Sequence, residues 1–145
     1  MISALFSPDA SPYVEVEVRV PGLSASGTLL MLMDTGADGT SLHLWEALSL
    51  LGEVGLRQLG RLNNVVRARG IGGSAAYFVE PAEIVLKHDD GMQEGFHLDL
   101  KIVKPARRGS MKRDMQLKIP SLLGKDIMTQ FNVVFDWPRG QVYLD

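Results

Sequence analysis

The residue types best suited to chemistry fall together at Asp34, Thr35, Gly36, Ala37 and Asp38, directly after the apolar run 28–33. A carboxylate at the end of a buried strand carries a desolvation cost and needs a compensating use. Beside a reacting group it can take or give a proton, which is general acid–base chemistry. The competing reading is a plain turn, since Asp, Thr and Gly are ordinary turn formers. A second candidate is the glycine-rich run Gly70, Ile71, Gly72 and Gly73, closed by Ser74. Phosphate-cradling loops are also glycine-rich, but no Gly-Lys-Ser/Thr follows here, and residues 75–80 continue as a strand instead of opening a helix. His88, Asp89, Asp90 and His97 are metal-ligand types, yet they straddle a turn pattern where Asp and His are common, so no metal site is assigned. His43 reads as helix surface, and no Ser-His-Asp set follows from spacing alone. The basic residues Lys104, Arg107, Arg108, Lys112, Arg113 and Lys118 could guide an acidic partner or be cut in self-processing, with a solvated loop as the default.

Composition narrows the classes further. The 145 residues are 46% apolar, and 15 Lys and Arg against 17 Asp and Glu give a net charge of −2. That balance argues against nucleic-acid binding by bulk charge. A chain of this length buries roughly 70% of the surface its unfolded form exposes, so a single domain can build a core without staples. The lack of cysteine excludes a thiol nucleophile, a disulfide framework and cysteine-ligated zinc. Residues 1–11 hold neither a basic segment nor an apolar run of signal-peptide length. No stretch approaches the roughly 20 apolar residues of a membrane-spanning helix. The expectation is a cytoplasmic protein with no membrane segment and no cofactor.

The elements that must position these residues are legible in part. Residues 13–20 alternate strictly, with Val14, Val16, Val18 and Val20 on one face and Glu15, Glu17 and Arg19 on the other, the pattern of a strand with one wet face. Pro21, Gly22 and Gly27 bracket a turn, and 28–33 reads as the second strand of a hairpin, buried on both sides. Residues 43–51 place Leu44, Ala47, Leu48 and Leu51 at helical spacing, with Gly52 as the stop. Strands are expected at 65–69 and 75–80 around the glycine-rich tip, and at 81–87 and 94–103 around an Asp-Gly turn. Residues 104–118 read as a loop. A short helix over 125–131 and strands over 132–136 and 141–144 complete a mostly β chain with two short helices and no repeat or linker.

Strand and motif together resemble the active-site segment of the retropepsin-like aspartic proteases, in which an apolar strand delivers Asp-Thr-Gly followed by Ala and a second Asp. Residues 69–74 resemble that family's flap. Residues 121–131, opening Ser121-Leu122-Leu123-Gly124-Lys125-Asp126, resemble its apolar-apolar-Gly segment and closing helix. The resemblance covers 13–135 and implies an all-β, retropepsin-like acid protease barrel with one or two short helices. Peptide hydrolysis there needs two facing carboxylates, one ionised to take a proton from water and one protonated to polarise the scissile carbonyl. Held about 3 Å apart, such a pair keeps one proton and titrates as a unit.

This chain carries one carboxylate of the kind. None of Asp9, Asp38, Asp89, Asp90, Asp99, Asp114, Asp126, Asp136 and Asp145 is followed by Ser or Thr and then Gly. A two-fold homodimer meets the shortage by bringing Asp34 against the partner's Asp34. The resemblance thus implies an aspartic endopeptidase with Asp34, Thr35 and Gly36 as catalytic residues, Thr35 bonding across the dyad and Gly36 letting the backbone pass close to substrate. Ala37, Asp38, Gly70, Ile71, Gly72 and Gly73 would bind an extended polypeptide. Lys125 stands where the family more often has Arg, so an ion pair between Asp38 and Lys125 is expected as weaker support beneath the site. Residues 137–145 extend past the family's usual end, and the strands that hold the dimer are expected to differ. The rival reading is a non-catalytic dimerisation or peptide-binding module of the same fold.

Overall fold

A computed structural model describes residues 1–62, 65–70 and 73–145. Two short strands, β1 (Ile2–Ser3) and β2 (Leu5–Phe6), precede β3 (Pro12–Val20). The strict alternation in β3 is satisfied as expected, with Val14, Val16, Val18 and Val20 no more than 1% exposed. Each such valine contributes roughly 1.5–3 kcal/mol by leaving water. A 3-10 turn at Pro21–Leu23 leads into β4 (Ala25–Met33), antiparallel to β3 from Val20↔Ala25 to Tyr13↔Leu32. This strand is buried on one side only. Met31 and Met33 lie in the core, while Leu30 is 43% exposed opposite Glu15. An unbroken apolar run reports side-chain type, and here Ser26, Thr28 and Leu30 on the second face stay exposed.

After β5 (Ser41–Leu42) comes α1 (Leu44–Leu62), longer than the expected 43–51. Gly52 does interrupt it, with φ 69° and ψ 174°, a conformation glycine adopts at little cost. The chain then resumes helix and buries Leu56 and Leu59, so the expected stop is a kink. β6 (Val65–Gly70) and β7 (Gly73–Lys87) form the expected glycine-tipped hairpin, paired from Val65↔Phe78 to Gly70↔Gly73. Ile71 and Gly72 lie outside the described residues. β7 is one strand where two were expected, because Pro81 falls between the last pairing with β6, at Phe78, and the first with β3, at Glu83. A proline is tolerated where one edge of the strand is unpaired.

β8 (Gln93–Val103) runs antiparallel along β7. The segment expected to be a loop holds α2 (Met111–Gln116), followed by β9 (Leu122–Leu123), α3 (Lys125–Met128), β10 (Val133–Asp136) and β11 (Gln141–Leu144). The pairings close on themselves. β3 pairs with β4, β4 with β9 in parallel, β9 with β5, β5 with β8, β8 with β7, and β7 returns to β3. A second sheet, β1-β11-β10, joins the first and last strands of the same chain. The fold is β-rich, with more helix than two short segments. No helix among the described residues is long and apolar enough to cross a membrane.

Candidate active site

Asp34 follows directly on β4, at the point where β4 runs parallel to β9. Leu32 N donates to Ser121 O at 2.8 Å and Asp34 N to Leu123 O at 3.1 Å, so the backbone on both sides of Met33 is fixed by the neighbouring strand. Beyond Asp34 the chain turns: Ala37 N donates to Asp34 O at 3.2 Å, and Gly36 N donates to Asp34 Oδ1 at 2.9 Å. A Cβ on Gly36 would stand 3.2 Å from that same Oδ1, so a side chain there would press on the carboxylate. Asp34 is half-buried, and its Oδ2 makes no hydrogen bond among the described residues. Thr35 and Gly36 are exposed. One carboxylate oxygen is thus held by a backbone donor while the other is left without a hydrogen bond among the described residues.

The turn is clamped from below by the segment after β9. Lys125 N donates to Ala37 O at 2.8 Å. Thr40, fully buried, donates through N to Asp126 Oδ2 at 2.9 Å and through Oγ1 to Asp126 Oδ1 at 2.7 Å, while its Oγ1 accepts from Gly124 N at 3.1 Å. These bonds satisfy a buried hydroxyl and a buried amide that would otherwise each cost about 1–3 kcal/mol. Gly124 has no room for a side chain. A Cβ there would lie 2.5 Å from the carbonyl carbon of Gly39 and 2.6 Å from its oxygen. Thr40 was not singled out from sequence, and Gly124 and Asp126 entered there only as members of the segment 121–131, with no bond to Thr40 expected. Asp126 reads there as an acid in a helix's first turn, and a Thr six residues after an Asp carries no signal of its own.

The expected pair of Asp38 and Lys125 is present, Nζ to Oδ1 at 2.9 Å, but at the surface, with the Asp38 side chain 90% exposed. The Lys125 ammonium holds the Asp38 carboxyl below its ordinary range, helped by Lys101. Screening by water leaves such a pair little net effect on stability. His43 corrects the sequence reading: it is 4% exposed and lies just ahead of α1, off the helix surface. Its N donates to Ser121 Oγ at 2.8 Å, and its Nε2 meets the Tyr77 hydroxyl of β7 at 2.9 Å. Burial pushes the imidazole below its ordinary range against a smaller pull from the Pro120 carbonyl, and Nδ1 makes no hydrogen bond of ordinary geometry.

The glycine-rich hairpin is tied to the body at its base, through Tyr77 to His43 and through Lys104 N to Ala76 O at 2.9 Å. Among the described residues no hydrogen bond or ion pair joins it to residues 34–38 of the same chain. Gly70 and Gly73 pair at its described end. The weaker metal-type residues serve the 88–92 turn: His88 Nε2 meets Glu94 Oε2 at 2.9 Å, Asp89 accepts from Ser3, and Asp90 accepts from Met92 N. The site that emerges offers one carboxylate with an oxygen left unbonded among the described residues, and an exposed threonine beside it. In comparisons with known proteins, no family model matches the chain and no curated protein matches it.

Proposed function

We propose that this protein is an aspartic endopeptidase of retropepsin-like fold, working as a homodimer in which the two Asp34 side chains form the dyad. One observation carries the reading: a turn of Asp-Thr-Gly, set by two parallel strands, fixes one carboxylate oxygen by the Gly36 amide and leaves the other without a hydrogen bond among the described residues. The closed ring of strand pairings and the clamp at Gly124 and Asp126 support it as well. In the reaction, water adds to the scissile carbonyl carbon and gives a proton to the ionised carboxylate. The protonated carboxyl gives its own to the carbonyl oxygen. The gem-diol adduct then collapses: one hydroxyl gives its proton to the now ionised carboxylate as the C=O re-forms, the C–N bond breaks, and the leaving nitrogen takes the proton of the other carboxyl, so the dyad again holds one proton. Thr35 bonds across the two-fold axis, and Gly36 keeps the approach to the carboxylates open. The substrate lies extended between the dyad and the hairpin of β6 and β7, pairing its backbone with strand edges.

The terminal strands bear on how such a dimer is held. β1 pairs with β11 of its own chain, and Ala4 N donates to Val142 O at 2.9 Å, so both termini are already engaged within the protomer. A two-fold contact would build on what these pairings leave open, and the exposed Thr35 loop is the part of it the chemistry requires. The test is Asp34→Asn, nearly isosteric yet unable to share the proton, assayed by mass spectrometry on a mixed peptide library. Cleavage is expected from the native chain and lost in the variant at unchanged thermal midpoint. Cleavage specific to the native preparation should fall per subunit on dilution. Native protein that dimerises but cuts no peptide under any pH would leave the non-catalytic module as the better reading.

A further inference from the structure

Residues 104–118 look from sequence like solvated loop, yet the fold fixes them. Ser110 Oγ accepts from Arg113 N at 3.2 Å and starts α2. Gln116 turns inward, its Oε1 accepting from Ala106 N at 2.9 Å and its Nε2 donating to Lys104 O at 3.1 Å. Arg113, with its side chain 12% exposed, pairs with Glu53 of α1. The inward positions are thus spent on holding the segment in place.

What faces outward is chemically one-sided. Met111 is 82% exposed and Met115 63%, one helical turn apart on the same face, and Ile119 is 45% exposed. Lys104, Arg107, Lys112 and Lys118 are exposed and make no ion pair among the described residues. The segment holds six of the chain's 15 Lys and Arg but only one, Asp114, of its 17 Asp and Glu. The near-neutral total therefore hides a basic surface on an otherwise acidic chain. That surface adjoins the site in the chain. It runs into Ser121, whose carbonyl takes the N–H of Leu32, two residues before Asp34.

We propose that residues 104–119 form a docking surface for an acidic polypeptide segment bearing large apolar side chains. Methionine adapts its shape to varied apolar partners, and unpaired Lys and Arg around it attract carboxylates and set the approach. A polypeptide is favoured over a nucleic acid because the segment has no Phe, Tyr or Trp on which bases could stack. The purpose of the surface, to bring such segments to Asp34 for cleavage, rests on the endopeptidase reading. Its binding does not.

The experiment uses the full chain carrying Asp34→Asn, so that bound peptide is not consumed. The probe is a fluorescein-labelled 16-mer of Glu with Leu and Phe at intervals, compared by anisotropy with its Gln-for-Glu analogue and with a labelled oligouridylate. The acidic peptide is expected to bind, and to weaken on the order of tenfold as salt rises from about 50 to about 500 mM. Arg107→Glu, Lys112→Glu and Lys118→Glu together should weaken it on the order of tenfold or more at unchanged melting temperature. Met111→Ser with Met115→Ser should weaken it on the order of fivefold and leave the salt dependence intact. Equal binding of the Gln analogue, unchanged binding by the triple variant, or tighter binding of the oligouridylate would overturn the proposal. With Asp34 intact, the triple variant should still cut a short uncharged peptide as the native chain does. Cleavage without docking thus sinks only the docking surface, and docking without cleavage sinks only the endopeptidase.

Discussion

The loop 34–40 and the segment 104–119 both interrupt regular strands, and they are held in opposite ways. In the first, Thr35 and Asp38 stay at the surface but the anchoring polar groups are buried: Thr40 is fully buried and its amide and hydroxyl are taken by Asp126. In the second, the chain is held by one buried amide and an ion pair, while methionines and unpaired cations point outward. The first arrangement gives a carboxylate one geometry. The second leaves a surface with charge and apolar area to offer.

The sharpest way to break this contrast is Gly124→Ala. The new Cβ would fall 2.5 Å from the backbone of Gly39, which has no flexible end to yield. The loop must shift or the strand must part, at a cost of several kcal/mol in line with backbone and overpacking changes. Chemical denaturation should show that loss, and peptide cleavage should vanish even where the protein remains folded. A Gly124→Ala protein of native stability would mean that the 34–40 loop is no more firmly fixed than the outer segment.

Asp126→Ala comes next. It strips both acceptors from Thr40, whose buried N–H and hydroxyl then have no replacement. A loss of about 2 kcal/mol is expected, read as a lower denaturation midpoint with an unchanged denaturant slope. Gln116→Leu is the matching change in the other region. It leaves Lys104 O and Ala106 N without their partner, but near the surface, where water can substitute. About 1 kcal/mol is expected, with cleavage of a short uncharged peptide preserved. If Gln116→Leu costs more than Asp126→Ala, the ranking of the two regions is reversed.

The same contrast explains what the sequence could and could not disclose. The alternation at Val14, Val16, Val18 and Val20 is a period-two pattern with one dry face, and it survives into the structure. Asp34-Thr35-Gly36 was visible because rare local chemistry follows an apolar run. Its supports were not, since Thr40 and Asp126 lie 86 positions apart and meet only through the β4 and β9 pairing. α2 was hidden by its own composition: a six-residue helix with charged and exposed positions has no apolar stripe to reveal it. Ser110, an N-cap residue ahead of it, was the available signal. At Gly52 the stop signal was real, but a glycine with positive φ can bend a helix as well as end one, and Leu56 and Leu59 show which occurred.

His43 offers a smaller, pH-dependent test. Burial holds its folded pKa below the value of about 6.5 expected of an unfolded chain. Above that pH the ring is neutral in both states and contributes no pH dependence. As pH falls below it, the unfolded chain takes up a proton that the folded one refuses, so stability declines until the folded group also protonates. The native protein should lose thermal midpoint between about pH 6.5 and pH 5 more steeply than His43→Gln. His88 and His97 are common to both proteins and cancel in the difference. Parallel curves would show that the link from His43 to Tyr77 at the hairpin base does not depend on a neutral ring.

The smallest effect is expected where the sequence pointed most directly to support, at the pair of Asp38 and Lys125. Both side chains are in water, Asp38 almost wholly, so their attraction is screened and the order it demands of two mobile side chains offsets much of it. Lys125 lowers the Asp38 carboxyl, which places any stabilisation above the ordinary Asp range and removes it only as the solution turns strongly acid. Asp38→Asn should therefore leave the thermal midpoint near neutral pH unchanged within error, and adding salt should not alter that result. Lys125→Met should behave alike, because the bond from Lys125 to Ala37 is made by the backbone and survives the substitution. A fall of several degrees in either variant, erased by salt, would move this surface pair into the frame of the site and place the 34–40 loop under electrostatic control, where the present geometry gives that control to Asp126 and Gly124.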